Sequence, residues 1–394
     1  MILEPAPRVD FNDTATAFSG RTDKALKWEY QLFRMMNHPV LTNVLTTMAS
    51  LSIKMHLPVK WLIKKTVYEQ FCGGETLEET KKVLAELEKF GISAIIDYGV
   101  EGKESEAEFE RTKNELIHIL QFAAGKKNIP FISCKVTGLT SFALLEKLNT
   151  GAALSATEQT EKEALYTRMF AIAQAAADNG VGLFVDAEES WIQDAIDNLT
   201  FELMRTFNKQ KAVVYSTPQM YRHDRLAFCQ RSLADAQSHG YILGLKPVRG
   251  AYMDKERKRA AELGYTDPIQ PNKAATDRDY NLAIQLCLDN MHNVAVCAAT
   301  HNEDSSMQLA TTMQERGIPA NHPHFWFSQL YGMSDQITYN LAKGGFNVAK
   351  YLPYGPVKDV IPYLIRRAQE NKSVSGQMSR ELSLIHKEIK RRGL

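Results

Sequence analysis

The chain has 394 residues, enough for one large α/β domain or two ordinary ones with ample core. Its 47 Lys and Arg balance 46 Asp and Glu to a net charge of +1, so no overall field draws it to nucleic acid. Its five cysteines, Cys72, Cys134, Cys229, Cys287 and Cys297, lie far apart without metal-binding spacing, which predicts reduced thiols and no metal site.

The stretch from Met1 to Asp10 contains acids and has no apolar signal core, so neither a secretion signal nor a transit peptide is expected; the default compartment is a bacterial cytoplasm. Residues 1–88 read as an N-terminal helical arm. Within it, Pro39 to Ile53 is charge-free and largely apolar, and Lys54, Lys60, Lys64 and Lys65 surround Trp61. That stretch is shorter than the ~20 apolar residues of a membrane-spanning helix. It is expected either to pack across its own domain or to lie in a membrane interface. A helix should open at Thr76, where Glu79 completes a capping box, and run through Val83, Leu84, Leu87 and Phe90.

From Gly91 onward, short β-branched or aromatic runs alternate with amphipathic helices. The strand candidates are Ile92 to Tyr98, Pro130 to Val136, Gly182 to Asp186, Ala212 to Tyr215, Tyr241 to Val248, Val294 to Ala299, His324 to Phe327 and Val348 to Leu352. Eight such units predict a closed (β/α)₈ TIM-like barrel, distorted, over residues 89–375, with a C-terminal helix over 376–394; the alternative on pattern alone is an open doubly wound sheet. No Gly-x-Gly-x-x-Gly follows a strand and no Gly-Lys-Ser/Thr loop is present, which argues against the nucleotide folds those motifs mark.

Chemistry in such barrels gathers at the C-terminal strand ends, and here those ends are polar. In order they carry Asp97 and Glu101, Lys135, Asp186 with Glu188 and Glu189, Gln219, Lys246 with Arg249, Gly250 and Tyr252, Thr300 with His301 and Asn302, Gln329, and Tyr351. Strand-embedded Lys135 and Lys246 each require an anion or a carboxylate such as Asp186. The last helix sets Tyr363 and Arg367, and Arg366 and Glu370, at i,i+4 spacing. Two adjacent guanidiniums repel unless an anion lies between them, so the pair predicts either a pocket for a small carboxylic acid or, read alone, a solvated basic helix end.

Four ordered motifs, Asp186-Ala-Glu-Glu, Arg249-Gly-Ala-Tyr, Ala299-Thr-His-Asn and Tyr363-Leu-Ile-Arg-Arg-Ala-Gln-Glu-Asn, resemble the flavin-dependent proline dehydrogenases. The resemblance covers about residues 10–390, including Phe71-Cys-Gly-Gly-Glu-Thr before the barrel. It is nearest the stand-alone, mitochondrial-type branch, because the long fusions carry an aldehyde dehydrogenase domain for which no chain remains.

The resemblance implies an enzyme that oxidises L-proline to Δ1-pyrroline-5-carboxylate by hydride transfer to the N5 of FAD. It also implies electron delivery to a quinone, peripheral contact with the inner membrane, and a separate pyrroline-5-carboxylate dehydrogenase downstream. Arg366 and Arg367 resemble the grip on the proline carboxylate, with Asp186 orienting Arg366 and Lys135 supporting the charge network. Tyr252, Tyr351 and Tyr363 resemble the walls over the pyrrolidine ring, and Glu370 the bridge toward the flavin. Gln219, Lys246, Arg249, Gly250, Thr300, His301 and Asn302 resemble the FAD contacts, with Lys246 near N5 and Arg249 near the phosphates. Met253 stands where some relatives place a tryptophan, Lys246 where the fusions have arginine, Pro247 where others have a pocket-lining leucine, and Pro218 interrupts the strand-four motif. The nearest rival is a 4-hydroxyproline dehydrogenase, in which a smaller residue replaces the tyrosine at the position of Tyr351. More distant readings are a Schiff-base aldolase using Lys135 or Lys246, and a barrel that senses a small acid without catalysis.

Overall fold

The computed structural model describes residues 9–36, 64–99, 104–373 and 377–394, with no side chain described in 367–373 or 377–379. The apolar stretch from Pro39 to Ile53, with Lys54, Lys60 and Trp61, lies outside the described residues, as does Glu101. Eight strands form a closed barrel in sequence order: β1 (Ser93–Tyr98), β2 (Phe131–Cys134), β3 (Gly182–Val185), β4 (Val214–Ser216), β5 (Leu243–Leu245), β6 (Val294–Ala299), β7 (Phe325–Leu330) and β8 (Val348–Tyr354). Helices alternate with the strands, giving the TIM-like (β/α)₈ architecture expected from the sequence.

Strand limits depart from the pattern where the site lies. Lys135 and Lys246 are not embedded in strands; each stands one residue beyond its strand end. After β2 the chain enters a tight turn, Val136–Gly138, because the Glu188 carboxylate takes the Thr137 N–H and hydroxyl. After β5, Pro247 has no N–H to offer a ladder. Pairing of β4 with β5 narrows to Ser216 opposite Leu245, and beyond the strand ends it continues through Lys246 N to Ser216 O and a lone bridge from Gln219 to Val248.

The chain divides into two compact units. One comprises Gly102–Thr300 and His322–Phe327. Its β2 to β6 pair in parallel, and its core holds the Phe131 ring stacked on Phe184 at 4.5 Å, with Tyr215 edge-on to both. The other comprises Met1–Glu101, His301–Asn321 and Ser328–Leu394, where β1 and β8 pair along six positions from Ser93 opposite Ala349 to Tyr98 opposite Tyr354.

In that second unit the helix Leu77–Glu88 starts as expected. Thr76 Oγ1 accepts from the Glu79 N–H, although the Glu79 carboxylate returns to Glu75 N instead of to the cap. Leu26, Leu32, Phe33 and Met36 of the helix Asp23–Met36 share one apolar cluster with Leu384 and Ile385 of the helix Gln377–Arg391, and with Val360, Ile361, Tyr363 and Leu364. Arg392 fastens these termini, donating to the carbonyls of Phe18 and Arg21 and to Asp23. Buried Glu388 accepts from Arg391 and Arg392, which overcome the cost of burial and hold it at about 2. All five cysteines are buried and unbridged, and burial pushes the thiol of Cys229 up to about 12 and those of Cys72 and Cys287 further.

Candidate active site

In the first unit the polar residues past β2, β3, β4 and β5 meet in two groups, Lys246 with Asp186, and Glu188 with Thr137, Lys135 and Gln219. Lys246 is 4% exposed, donates to Asp186 Oδ1, and lies 4.9 Å from the centre of the Phe184 ring. Both partners are fixed by their backbones. The Lys246 N–H reaches Ser216 O at 2.8 Å, and the Asp186 N–H reaches Cys134 O at 2.9 Å. A cation this deep is tolerable only because the carboxylate meets it directly. Lys135 is half-buried, and its charge acts on Glu188. Burial raises the Glu188 carboxyl to about 7 against the opposing pull of Lys135 and Thr137. The Glu188 carbonyl accepts from Gln219 Nε2 at 2.7 Å, while Gln219 Oε1 accepts from Ala251 N at 3.3 Å.

Arg249 is held on three sides: Nε donates to Asp277 at 2.7 Å, Nη1 donates to Thr300 Oγ1, and the guanidinium lies 4.5 Å from the centre of the Tyr280 ring. Despite partial burial, Lys273 and Arg249 keep Asp277 below the usual carboxylate range. Gly250 sits at φ +135°, and a Cβ there would fall 2.4 Å from the Tyr221 ring, so glycine is required by both backbone and space. Tyr252 precedes the helix Met253–Leu263, with Lys255 Nζ 6.0 Å from its ring centre.

In the other unit, Asn302 caps the helix Glu303–Glu315 by accepting from Ser305 N at 2.9 Å. His301 spans two partners: Nδ1 lies 2.9 Å from Ser334 Oγ, and Nε2 accepts from Leu330 N at 3.4 Å. Tyr351 is half-buried in β8, opposite Ile95, and its carbonyl accepts from Tyr331 N at 2.9 Å. The helix Val357–Ser373 carries Tyr363, buried, and Arg366, half-buried. The side chains of Arg367 and Glu370 lie outside the described residues.

Sequence reasoning did not single out Ser334, Asp335, Lys350 or Glu381, which are all buried. Lys350, 1% exposed on β8, pairs with Asp335 at 2.7 Å. A lysine inside a strand was a usable signal; Ser334 and Glu381 had none.

Residues 80–380 match the sequence profile of a family described as proline dehydrogenase. The chain is 30% identical to proline dehydrogenase 1, mitochondrial, of Dictyostelium discoideum, over 96% of this chain and 74% of that protein. It is 33% identical to the hydroxyproline dehydrogenase of Xenopus laevis, over 92% and 85%. Among solved structures, proline utilization A (PutA) from Bdellovibrio bacteriovorus, inactivated by N-propargylglycine, superposes with a TM-score of 0.70 at 21% identity, covering 91% of this chain and 38% of that one. The chain thus spans little over a third of that protein's length, and the likeness is one of fold.

Proposed function

Because the chain belongs to the proline dehydrogenase family, we propose that it oxidises L-proline to Δ1-pyrroline-5-carboxylate with FAD as cofactor. The observation that carries this reading is the family match across residues 80–380, which spans every motif the site is built from. The donor set suits the cofactor. Lys246 and Arg249 are cations matched to an anionic pyrophosphate and flavin edge, Gln219 and Thr300 are neutral hydrogen-bonding groups, and Gly250 lets backbone approach closely. His301 and Asn302 complete the set in this reading.

Bound FAD would supply a two-electron acceptor, and the rest of the task falls to the protein. Oxidation removes a hydride from C5 and a proton from nitrogen, leaving a C=N bond, so the amine must first shed its second proton to solvent. Arg366 and Arg367 would grip the carboxylate as a fork and fix the ring, with Asp186, Lys135 and Glu370 completing the charge network around the site. The surrounding cations disfavour the ammonium form of bound proline and so promote that proton loss. Tyr252, Tyr351 and Tyr363 would enclose the ring and exclude water. Electrons would pass to a quinone, which calls for peripheral contact with the inner membrane, and a separate pyrroline-5-carboxylate dehydrogenase would consume the product. Among the described residues no helix is long and apolar enough to cross a membrane.

The likeness to the Xenopus laevis protein favours one second reading, oxidation of 4-hydroxyproline. Tyr351 supports proline, because its ring would crowd a hydroxyl at C4. The test is an anaerobic visible spectrum of the purified protein before and after L-proline, then after trans-4-hydroxy-L-proline. Bleaching of a flavin band by proline is expected. A colourless protein, or a band that proline leaves unchanged, overturns the proposal.

A further inference from the structure

The turn after β7 is held from three distant parts of the chain. Gly332 sits at φ +77°, with the Gln70 carbonyl oxygen so near that a Cβ would fall 2.1 Å from it. Lys350 of β8 bonds Met333 O and pairs with Asp335, whose other oxygen takes Arg21 at 2.9 Å; Arg21 in turn meets Glu29 at 3.3 Å. Between these anchors stands Ser334, the one non-glycine residue with positive φ among the described residues, at 54°. Its N–H donates to Glu381 Oε1 of the C-terminal helix at 2.7 Å, and its hydroxyl meets His301 Nδ1 at 2.9 Å. Since His301 Nε2 accepts from the Leu330 N–H, the neutral ring carries its proton on Nδ1 and donates it to Ser334 Oγ.

We infer that Glu381 is a positioning residue for His301: by holding Ser334 in the left-handed conformation, it places the hydroxyl that receives the Nδ1 proton and so fixes the plane of the imidazole that follows β6. This rests on the reading above, in which His301 belongs to the FAD site. Two features set the arrangement apart from a merely stabilising ion cluster. Among the described residues three carboxyls, Glu29, Asp335 and Glu381, face two cations, Arg21 and Lys350, so one carboxyl is in excess. Burial, with Glu29 close by, pushes Glu381 up to about 8, which makes it a neutral acid at pH 7 that still accepts from Ser334. The second feature is serine itself, in a conformation where glycine is easier, with its hydroxyl against the imidazole.

The experiment compares wild type with Glu381→Ala, Glu381→Gln, Ser334→Gly and His301→Ala. It reads the dissociation constant for FAD by fluorescence titration, the visible circular dichroism of the holoenzyme, and KM against kcat for proline. Loss of one hydrogen bond predicts FAD binding weaker by roughly 5- to 10-fold in Glu381→Ala and Ser334→Gly, a changed dichroism spectrum, and little change in KM for proline. Glu381→Gln keeps the acceptor and the neutral charge and should match wild type. Ser334→Gly added to His301→Ala should cost nothing further, since both remove one interaction. If Glu381→Ala does not fold, Ser334→Gly decides, because its backbone accepts this conformation. Wild-type FAD binding and spectrum in Ser334→Gly, with weakened binding in His301→Ala, overturn the inference and leave the FAD assignment standing. Unchanged FAD binding in His301→Ala overturns both.

Discussion

An ammonium as deeply buried as that of Lys246 forms a strong local field, and Asp186 cancels it only in part because a pair has direction as well as net charge. Lys246→Met should slow flavin reduction by proline in a single turnover and shift the flavin potential, while Asp186→Asn controls for loss of the pair itself. Unchanged rate and potential would mean that Lys246 serves only the fold. Arg366→Met should raise KM for proline and lower kcat, with kcat/KM falling by roughly 10- to 100-fold, the worth of a charge-assisted bond. Steady-state kinetics at wild-type values would remove the carboxylate grip. Tyr351→Ser should narrow the gap in kcat/KM between proline and trans-4-hydroxy-L-proline while weakening proline itself. A gap that stays the same in the variant would free Tyr351 of any part in specificity. At this scale the Lys246–Asp186 pair was legible because a buried cation demands an anion and the sequence offers Asp186 at a strand end. Ser334 and Glu381 were not: they are 47 residues apart, and neither a positive φ nor a buried carboxyl leaves a local pattern.

The elements were legible where periodicity speaks and blurred where side chains capture backbone. All eight strands fall where the alternation of apolar runs predicts them, since each must be buried on both faces. Their ends shift by a few residues where tertiary groups intervene. Glu188 draws Thr137 out of line, the β4–β5 ladder thins to a single pair, and β7 and β8 run on to Leu330 and Tyr354. The helix Gln377–Arg391 has a pH dependence of its own. Glu381 is raised from 4.5 to about 8, so the folded protein keeps a proton that the unfolded chain releases. The contribution of Glu381 to its docking is therefore fully present below about pH 4.5 and is lost as pH rises through about 8. Glu29 and Arg21 from the N-terminal segment, Tyr331, Asp335 and Tyr339 from beyond β7, and Lys350 of β8 all act on this cluster. Glu388, held at about 2, titrates far below this window. Hydrogen exchange of amides in Gln377–Arg391, corrected for intrinsic rates, should show protection falling from pH 5 to 8, and Glu381→Gln should flatten the trend. Protection that is constant or rises across this range would contradict the assignment.

At the scale of the whole molecule, a net charge of +1 leaves little for an anionic lipid surface to attract. Contact with a membrane would then rest on apolar burial. Co-sedimentation with lipid vesicles should be similar on neutral and anionic lipid and persist between about 50 and 500 mM salt, a range over which screening removes surface attraction. Binding that appears only on anionic vesicles and washes off with salt would point to a local basic patch instead. The five cysteines bear on the molecule in another way. Each is buried: Cys72 follows the short helix Glu69–Phe71, Cys134 lies on β2, Cys297 on β6, and Cys229 and Cys287 in two of the outer helices. A thiol with a raised pKa and no solvent path is slow to react with maleimide or disulfide reagents until its surroundings open. The order in which the five are labelled, read by mass spectrometry of peptides, would therefore time the opening of separate regions without any engineered probe, each cysteine acting as a clock that starts only when its own wall gives way.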